Sequence, residues 1–365
     1  TQMFGFRSTC IRINNQIAYQ FFNYAKANGV IIGKEDCLFE IGYIDAYTGK
    51  DFVGQDSINH ILARLKYLNE VLKQNNKHLL IVLTPGKSNY FPEYIPDKYL
   101  KDMGGTRNYT ALLSGIKAEG LNLIDFNAWF LENKHKGKNP WFIKYGIHWT
   151  PYGAVRSADS IIKKVEAITA IDMPDFTYDA SRMAEAGDKE YDIAEGMNLF
   201  IDFPRLELNS PLLYVSNTDK QKPSILIISD SFFWGIYSTE FANCFKEHHF
   251  WYYNKTVFPD EGKNLVTDGL NTRDEILKHD VVMLMITEAN LKKFGWGFLE
   301  NAERDFKGAP NKPALPPYDV LKKRWTKYIK GDPKWMEGIR KVAKERGISA
   351  DSVVSLEADW QIQHL

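Results

Sequence analysis

The chain is poor in cysteine. Its three, Cys10, Cys37 and Cys244, are too few and too odd in number for a disulfide framework, and they form neither a CxxC pair nor a metal-ligand spacing. One bridge stays open, and with it the disulfide state and the redox compartment. There is no excess charge of either sign, since 46 Lys and Arg balance 46 Asp and Glu. That balance speaks against nucleic-acid binding, which draws on a basic stripe, and against an acidic disordered chain. No apolar run approaches the roughly 18 residues of a membrane span. The opening Thr1-Gln2-Met3-Phe4 shows no charged stretch leading into an apolar one, so no signal peptide is expected in the sequence as it stands. HExxH, EF-hand, GxGxxG and GxxxxGK[ST] patterns are all missing, so neither a metal nor a cofactor is expected.

What is plentiful is aromatic: 9 Trp, 19 Tyr and 22 Phe in 365 residues, enough for a large core or a ring-lined groove. Tyr90, Tyr94, Trp129, Trp141, Trp149, Trp234 and Trp251 are the groove candidates, though most of them read more readily as core. Residues 14–28 and 57–74 read as helices. The second carries Ile58, Ile61, Leu62, Leu65, Leu68, Val71 and Leu72 at helical spacing. The run from His78 to Thr84 is short, apolar throughout and stopped by Pro85-Gly86, as expected of a strand buried on both faces. Helices near 107–118 and 152–167 and over 233–246 alternate with further strands at 121–125, 224–229, 250–253 and 280–287. Alternation of this kind predicts an α/β fold with a mostly parallel sheet between two helical layers. Residues 170–222 break the rhythm and read as an excursion between the two halves of one domain spanning 1–308. The segment 309–319 reads as a linker, and 320–363 as a helical C-terminal appendage.

In an open parallel sheet, ligands collect at the carboxyl ends of the strands. Four such ends bear polar groups here: Lys87 after the first strand, Asp125, Ser229-Asp230-Ser231-Phe232, and Thr287-Glu288. At the third, a buried strand turns sharply into a helix. That geometry lifts the Ser231 hydroxyl above the sheet edge and leaves its own N–H free for an oxyanion. The ordinary alternative is an Asp-Ser helix cap. A serine nucleophile needs a base. Of the eight histidines, His148 lies in an aromatic loop just before a helix, where a side chain can face a cleft; the ordinary alternative is a packed imidazole. After Ser231, Tyr252, Tyr253 and Asn254 close the next strand, and Asn254 or a Tyr is a candidate second oxyanion donor. Turn and surface chemistry explains these residues and Lys87 as well. Cys244 reads as a buried helical residue.

His148-Trp149-Thr150-Pro151-Tyr152-Gly153-Ala154, and later Ile225-Leu226-Ile227-Ile228-Ser229-Asp230-Ser231-Phe232-Phe233, resemble the paired motifs of the alginate O-acetyltransferase family, whose members have an SGNH-hydrolase-like domain. In the same order, Gly33–Phe39, Leu80–Lys87 with Tyr90, Pro92 and Tyr94-Ile95-Pro96, Asp192-Ile193-Ala194 with Asn198-Leu199, and Thr287-Glu288 resemble further family segments. The likeness runs over roughly residues 30–295. It implies a permuted SGNH-hydrolase-like three-layer sheet, Ser231 as nucleophile and His148 as base; such groups are known by geometry rather than chain order. It also implies a polysaccharide or acetylated-sugar partner, a membrane-bound acyl-transfer partner as a candidate, and a periplasmic or cell-surface location.

Two positions depart from the family pattern. The family's Asp-x-His-Trp has Gly146 in place of its Asp, and Ala289 follows Glu288 where the family commonly has Arg. The expected site is therefore a Ser–His pair without its usual carboxylate, with Asp125, Asp230 and Glu288 as substitutes, and with Trp149 and Lys87 as candidate substrate contacts. Two function classes follow. One is a serine acyl hydrolase or O-acetyltransferase. The other is a catalytically impaired relative that binds glycan or a partner protein through the same cleft. A third, plainer reading is an ordinary cytoplasmic α/β enzyme in which Ser231 only caps a helix.

Overall fold

The computed structural model describes residues 6–101, 103–260, 262, 265–308 and 318–363. It divides into two compact units, residues 1–309 and 310–365. The first is built on a six-stranded sheet: β1 (His78–Thr84), β2 (Leu123–Asp125), β3 (Ser224–Ser229), β4 (Glu247–Tyr252), β5 (Thr256–Phe258) and β6 (Val281–Thr287), in the order β5-β4-β3-β6-β1-β2. Every pairing is parallel except β4 with β5. The α/β expectation therefore holds.

Burial explains why the central strands read as unbroken apolar runs. Leu80, Val82, Ile225, Ile227, Met283 and Met285 pack to one face, against the helices Phe126–Asn133 and Pro151–Thr169. Leu79, Ile81, Leu226, Ile228, Val282 and Leu284 pack to the other, against Gln55–Gln74, Asn108–Ala118 and Phe298–Phe306. Side chains alternate along a strand, so a strand covered on both sides must be apolar at every position.

Some elements differ from expectation. The first helix runs from Arg7 to Phe22 and stops at Asn23, which adopts the left-handed conformation. The helix expected over 233–246 is instead three short turns, Ser231–Phe233, Trp234–Tyr237 and Glu240–Cys244. Gly235 packs on the Trp149 indole, and the Thr239 hydroxyl both ends one turn at the Ile236 carbonyl and caps the next at the Phe241 N–H. Cys244 is buried in the last of these turns, and all three cysteines are free thiols. The excursion forms two antiparallel ribbons, Asp175–Asp179 with Leu212–Ser216 and Met183–Glu185 with Glu207–Asn209, around a short helix Asp192–Gly196.

Among the described residues, the second unit contains three helices, Tyr318–Gly331, Pro333–Arg346 and Ala350–Gln363, sharing a core of Ile329, Ile339, Ala343, Val353, Val354 and Ala358. Asp332 caps the second of them and Gly347 ends it. Of the expected linker, residues 309–317 lie outside the described residues. Among the described residues, no helix is long and apolar enough to cross a membrane.

Candidate active site

Ser231 follows the carboxyl end of β3, and the fold brings His148 to it from 83 positions away, with 2.8 Å between Nε2 and Oγ. The loop that presents His148 is fixed from several sides. Phe142 bridges Trp149. Two residues after His148, the Thr150 hydroxyl donates to the Pro140 carbonyl and accepts from the Gly153 N–H, so it caps the helix that Pro151 begins. Before it, the backbone of 144–146 is held by Lys87, whose ammonium donates to the carbonyls of Lys144 (2.7 Å) and Gly146 (2.6 Å). Lys87 is fully buried, and burial lowers its ammonium to about 8. Neither a surface role nor a substrate contact survives for Lys87: it is an internal strut under the histidine loop.

The other ring nitrogen settles the question of the carboxylate. His148 Nδ1 meets Asp192 Oδ2 at 2.7 Å, while Asp192 Oδ1 accepts from the backbone N–H groups of Ile147 and Ile193, each at 2.8 Å. The expectation of a pair lacking its carboxylate is thus corrected. The substitute comes from the excursion, 44 residues beyond the histidine. Gly146 shows why the family's position could not be used. A Cβ there would stand 2.1 Å from the Glu190 carbonyl oxygen and 3.1 Å from Asp192 Oδ1, so only glycine lets the 190–192 backbone close over the loop.

None of the three expected substitutes is hydrogen-bonded to His148. Asp230 is fully buried and spent on backbone and neighbours: it accepts from Phe232 N–H (3.1 Å), Thr287 N–H (2.9 Å), the Thr287 hydroxyl (2.9 Å) and Asn290 Nδ2 (2.9 Å). It ties β3 to β6 directly beneath Ser231. Asp125 accepts from the Tyr109 hydroxyl at 2.9 Å and caps the helix that follows it. Glu288 is buried and paired with Arg107; burial raises its carboxyl above the ordinary range, against the pull of that guanidinium. The charge removed at Ala289 therefore reappears at Glu288 from residue 107.

Around the serine, Tyr253 rather than Tyr252 is the near phenol. Burial, reinforced by the Asp230 charge, pushes its phenol up to about 12, against the opposite pull of the neighbouring Ser231. Tyr253 adopts a left-handed φ of 50° at the turn between β4 and β5, and its backbone N–H donates to the Ser229 carbonyl at 2.9 Å. Tyr252 instead packs edge-on to Trp234. Asn254 is buried, and its amide donates to the Trp296 carbonyl at 3.0 Å. Ser231, His148 and Asp192 share one open cleft of about 570 Å³. Trp149, Phe232 and Trp234 supply its apolar floor, and Lys189, Glu190 and Leu213 of the excursion its wall. Of the seven groove aromatics, only Trp149 and Trp234 reach this cleft; Trp149 is otherwise core, packed among Phe126, Phe130 and Phe232.

Residues 30–199 match the family described as "SGNH hydrolase-like domain, acetyltransferase AlgX". The match takes in His148 and Asp192 and stops short of Ser231. No curated protein sequence matches the chain. The O-acetyltransferase domain of Pseudomonas putida AlgJ is similar in structure, with a TM-score of 0.50 at 15% identity over 74% of this chain and 99% of that one. This likeness shows the fold, an SGNH-like sheet. Pseudomonas aeruginosa AlgX gives a TM-score of 0.46 at 14% identity over 74% of this chain and 66% of its own. Bacillus cereus PatB1 bearing a sulfonyl adduct gives 0.45 at 13% over 68% and 95%.

Proposed function

Starting from the SGNH hydrolase-like acetyltransferase domain matched over residues 30–199, we propose that the chain is a serine acyltransferase that moves acetyl groups to or from an extracytoplasmic polysaccharide. The observation that carries this is the unbroken run Ser231 Oγ–His148 Nε2, His148 Nδ1–Asp192 Oδ2, opening on a cleft wide enough for an ester. Asp192 accepts a hydrogen bond from Nδ1–H, which leaves a lone pair on Nε2 facing the hydroxyl. Ser231 Oγ attacks the acyl carbonyl as its proton passes to Nε2, and the imidazolium formed is stabilised by Asp192. The Ser231 N–H and the Tyr253 hydroxyl are the donors at hand for the oxyanion. Collapse expels the donor's oxygen, which takes the proton back from His148. The acyl-serine then passes to a sugar hydroxyl or to water by the same steps reversed.

The impaired-relative reading was motivated by Gly146 and Ala289; the Asp192 carboxylate at His148 Nδ1 supports the catalytic reading over it. Acetyl transfer from a soluble acetyl ester, followed with and without an oligosaccharide acceptor, tests the proposal. Wild type should form an acetyl adduct on Ser231 that mass spectrometry locates, and Ser231→Ala should lose turnover. Equal rates in the two proteins would remove it. Glycan binding by wild type without any turnover would favour the binding module instead.

A further inference from the structure

Away from the cleft, two histidines and a glutamate meet at the other end of the sheet. Glu247 and His249 are two apart on β4, so both side chains leave the same face. His279 comes from the turn just before β6, and its Nε2 lies 2.8 Å from His249 Nδ1. The Glu247 carboxylate is 3.9 Å from that same Nδ1, and one donor atom from each of the three side chains falls within 4.8 Å of the others.

The buried member is already oriented as a ligand. His279 has no exposed surface, and its Nδ1 stands 2.8 Å from the Glu275 carbonyl. A carbonyl only accepts, so Nδ1 carries the proton and Nε2 presents a lone pair toward His249 and Glu247. An imidazole whose far nitrogen is fixed by a carbonyl is the usual outer support of a metal-bound histidine. The neighbouring cations do not repel an ion unopposed: Lys246 is paired with Asp280 at 3.0 Å and Lys278 with Glu275 at 2.7 Å.

We propose that Glu247, His249 and His279 form a binding site for a borderline divalent cation of the zinc type, separate from the acyl-transfer cleft. Two nitrogens on one tetrahedral zinc stand about 3.4 Å apart. The present 2.8 Å is a hydrogen bond, and binding widens it by a small turn of the half-buried His249 ring. The proton that His249 Nδ1 donates toward His279 moves to Nε2, which frees Nδ1 for the metal. Glu247, exposed, swings in as the third ligand and water fills the fourth position. The site lies at least five residues back along the strands from Ser231, roughly 16 Å. It crosslinks β4 to the approach of β6, which makes its role structural.

Titration of the full chain with zinc chloride and with cobalt chloride tests this. Wild type should bind one equivalent, the cobalt form should absorb in the visible as a tetrahedral site does, and zinc should raise the melting temperature. His249→Ala should abolish all three signals. Glu247→Gln should weaken binding by at least the roughly 10- to 100-fold that even outer supports of a metal contribute. His279→Gln is the third variant; because that ring is buried, His249→Ala serves as the foldable counterpart. His148→Ala should bind as wild type, which separates this site from a metal caught by the cleft histidine. No binding by wild type, or binding by His249→Ala equal to wild type, would overturn the proposal.

Discussion

Asp192→Asn is the sharpest perturbation of the proposed chemistry, because the structure dictates which way the new amide must face. Oδ1 of Asp192 accepts two backbone N–H groups, from Ile147 and Ile193, each at 2.8 Å. An asparagine keeps both bonds only by placing its oxygen there, which puts its NH₂ where Oδ2 now meets His148 Nδ1 at 2.7 Å. An NH₂ donates, so Nδ1 must accept and the ring proton moves to Nε2. The imidazole then offers Ser231 a proton instead of taking one. A misplaced tautomer of this kind costs roughly 10⁴ in turnover, equal to about 5 kcal/mol of transition-state stabilisation. The backbone ties survive, so thermal unfolding should barely move, and the loss should fall on kcat with little change in KM. The assay is steady-state acetyl release, with adduct formation on Ser231 measured alongside. If Asp192→Asn keeps more than a tenth of the wild-type rate, the assignment of Asp192 to the histidine is refuted.

Gly146→Asp, which restores the family's aspartate, should lower activity rather than raise it, and Gly146→Ala should do the same. A Cβ 2.1 Å from the Glu190 carbonyl forces the 190–192 backbone away, at a cost on the order of 1–3 kcal/mol in urea unfolding. Tyr253→Phe should cut kcat by roughly 10²–10³ if its hydroxyl holds the oxyanion, and a kcat unchanged in that variant would dismiss it from that role. Lys87→Met should change how stability responds to alkali. Burial takes this ammonium from 10.5 in the unfolded chain to about 8 in the folded one. Between those values the unfolded chain holds a proton that the folded chain lacks, so wild-type stability gains from rising pH across that window, and below about 8 the contribution is flat. The gain is roughly 3 kcal/mol, and urea unfolding of the methionine variant at the two ends of the window should lack it.

Much of the scaffold was legible because burial writes itself into sequence. β1 and β3 span the expected residues, and β6 begins one residue later than expected, since a strand covered on both faces has no choice of polar position. Ser231 and His148 were legible for a related reason: each sits at a boundary that composition marks, the end of an apolar run and the residues ahead of a Thr-Pro helix start. Asp192 was not. It lies in a stretch with no periodicity, its partner is 44 residues away, and the likeness marked its segment only by order along the chain. The signal that could have pointed to it was Gly146 itself, since a glycine where a side chain is expected implies that another backbone comes close. Lys87 was misjudged because a lysine after a strand usually reaches solvent; nothing local shows that two carbonyls 57 and 59 positions on will meet it. The turns after Ser231 escaped because helical periodicity over 233–246 is broken by Gly235 and Thr239, residues that helices elsewhere tolerate.

The cleft's outer wall and the carboxylate behind the histidine are supplied by the same stretch of chain, residues 189–192, with Leu213 a short ribbon away. Such thin ribbons, hung outside the main sheet, are where sequence can drift at least cost to the scaffold, and so where a new acceptor would first be accommodated. Here that freedom is leashed. Under the proposed chemistry, any remodelling of the rim that selects a different sugar must leave the spacing from Glu190 to Asp192 intact, so changes of taste and retention of turnover would be inherited together.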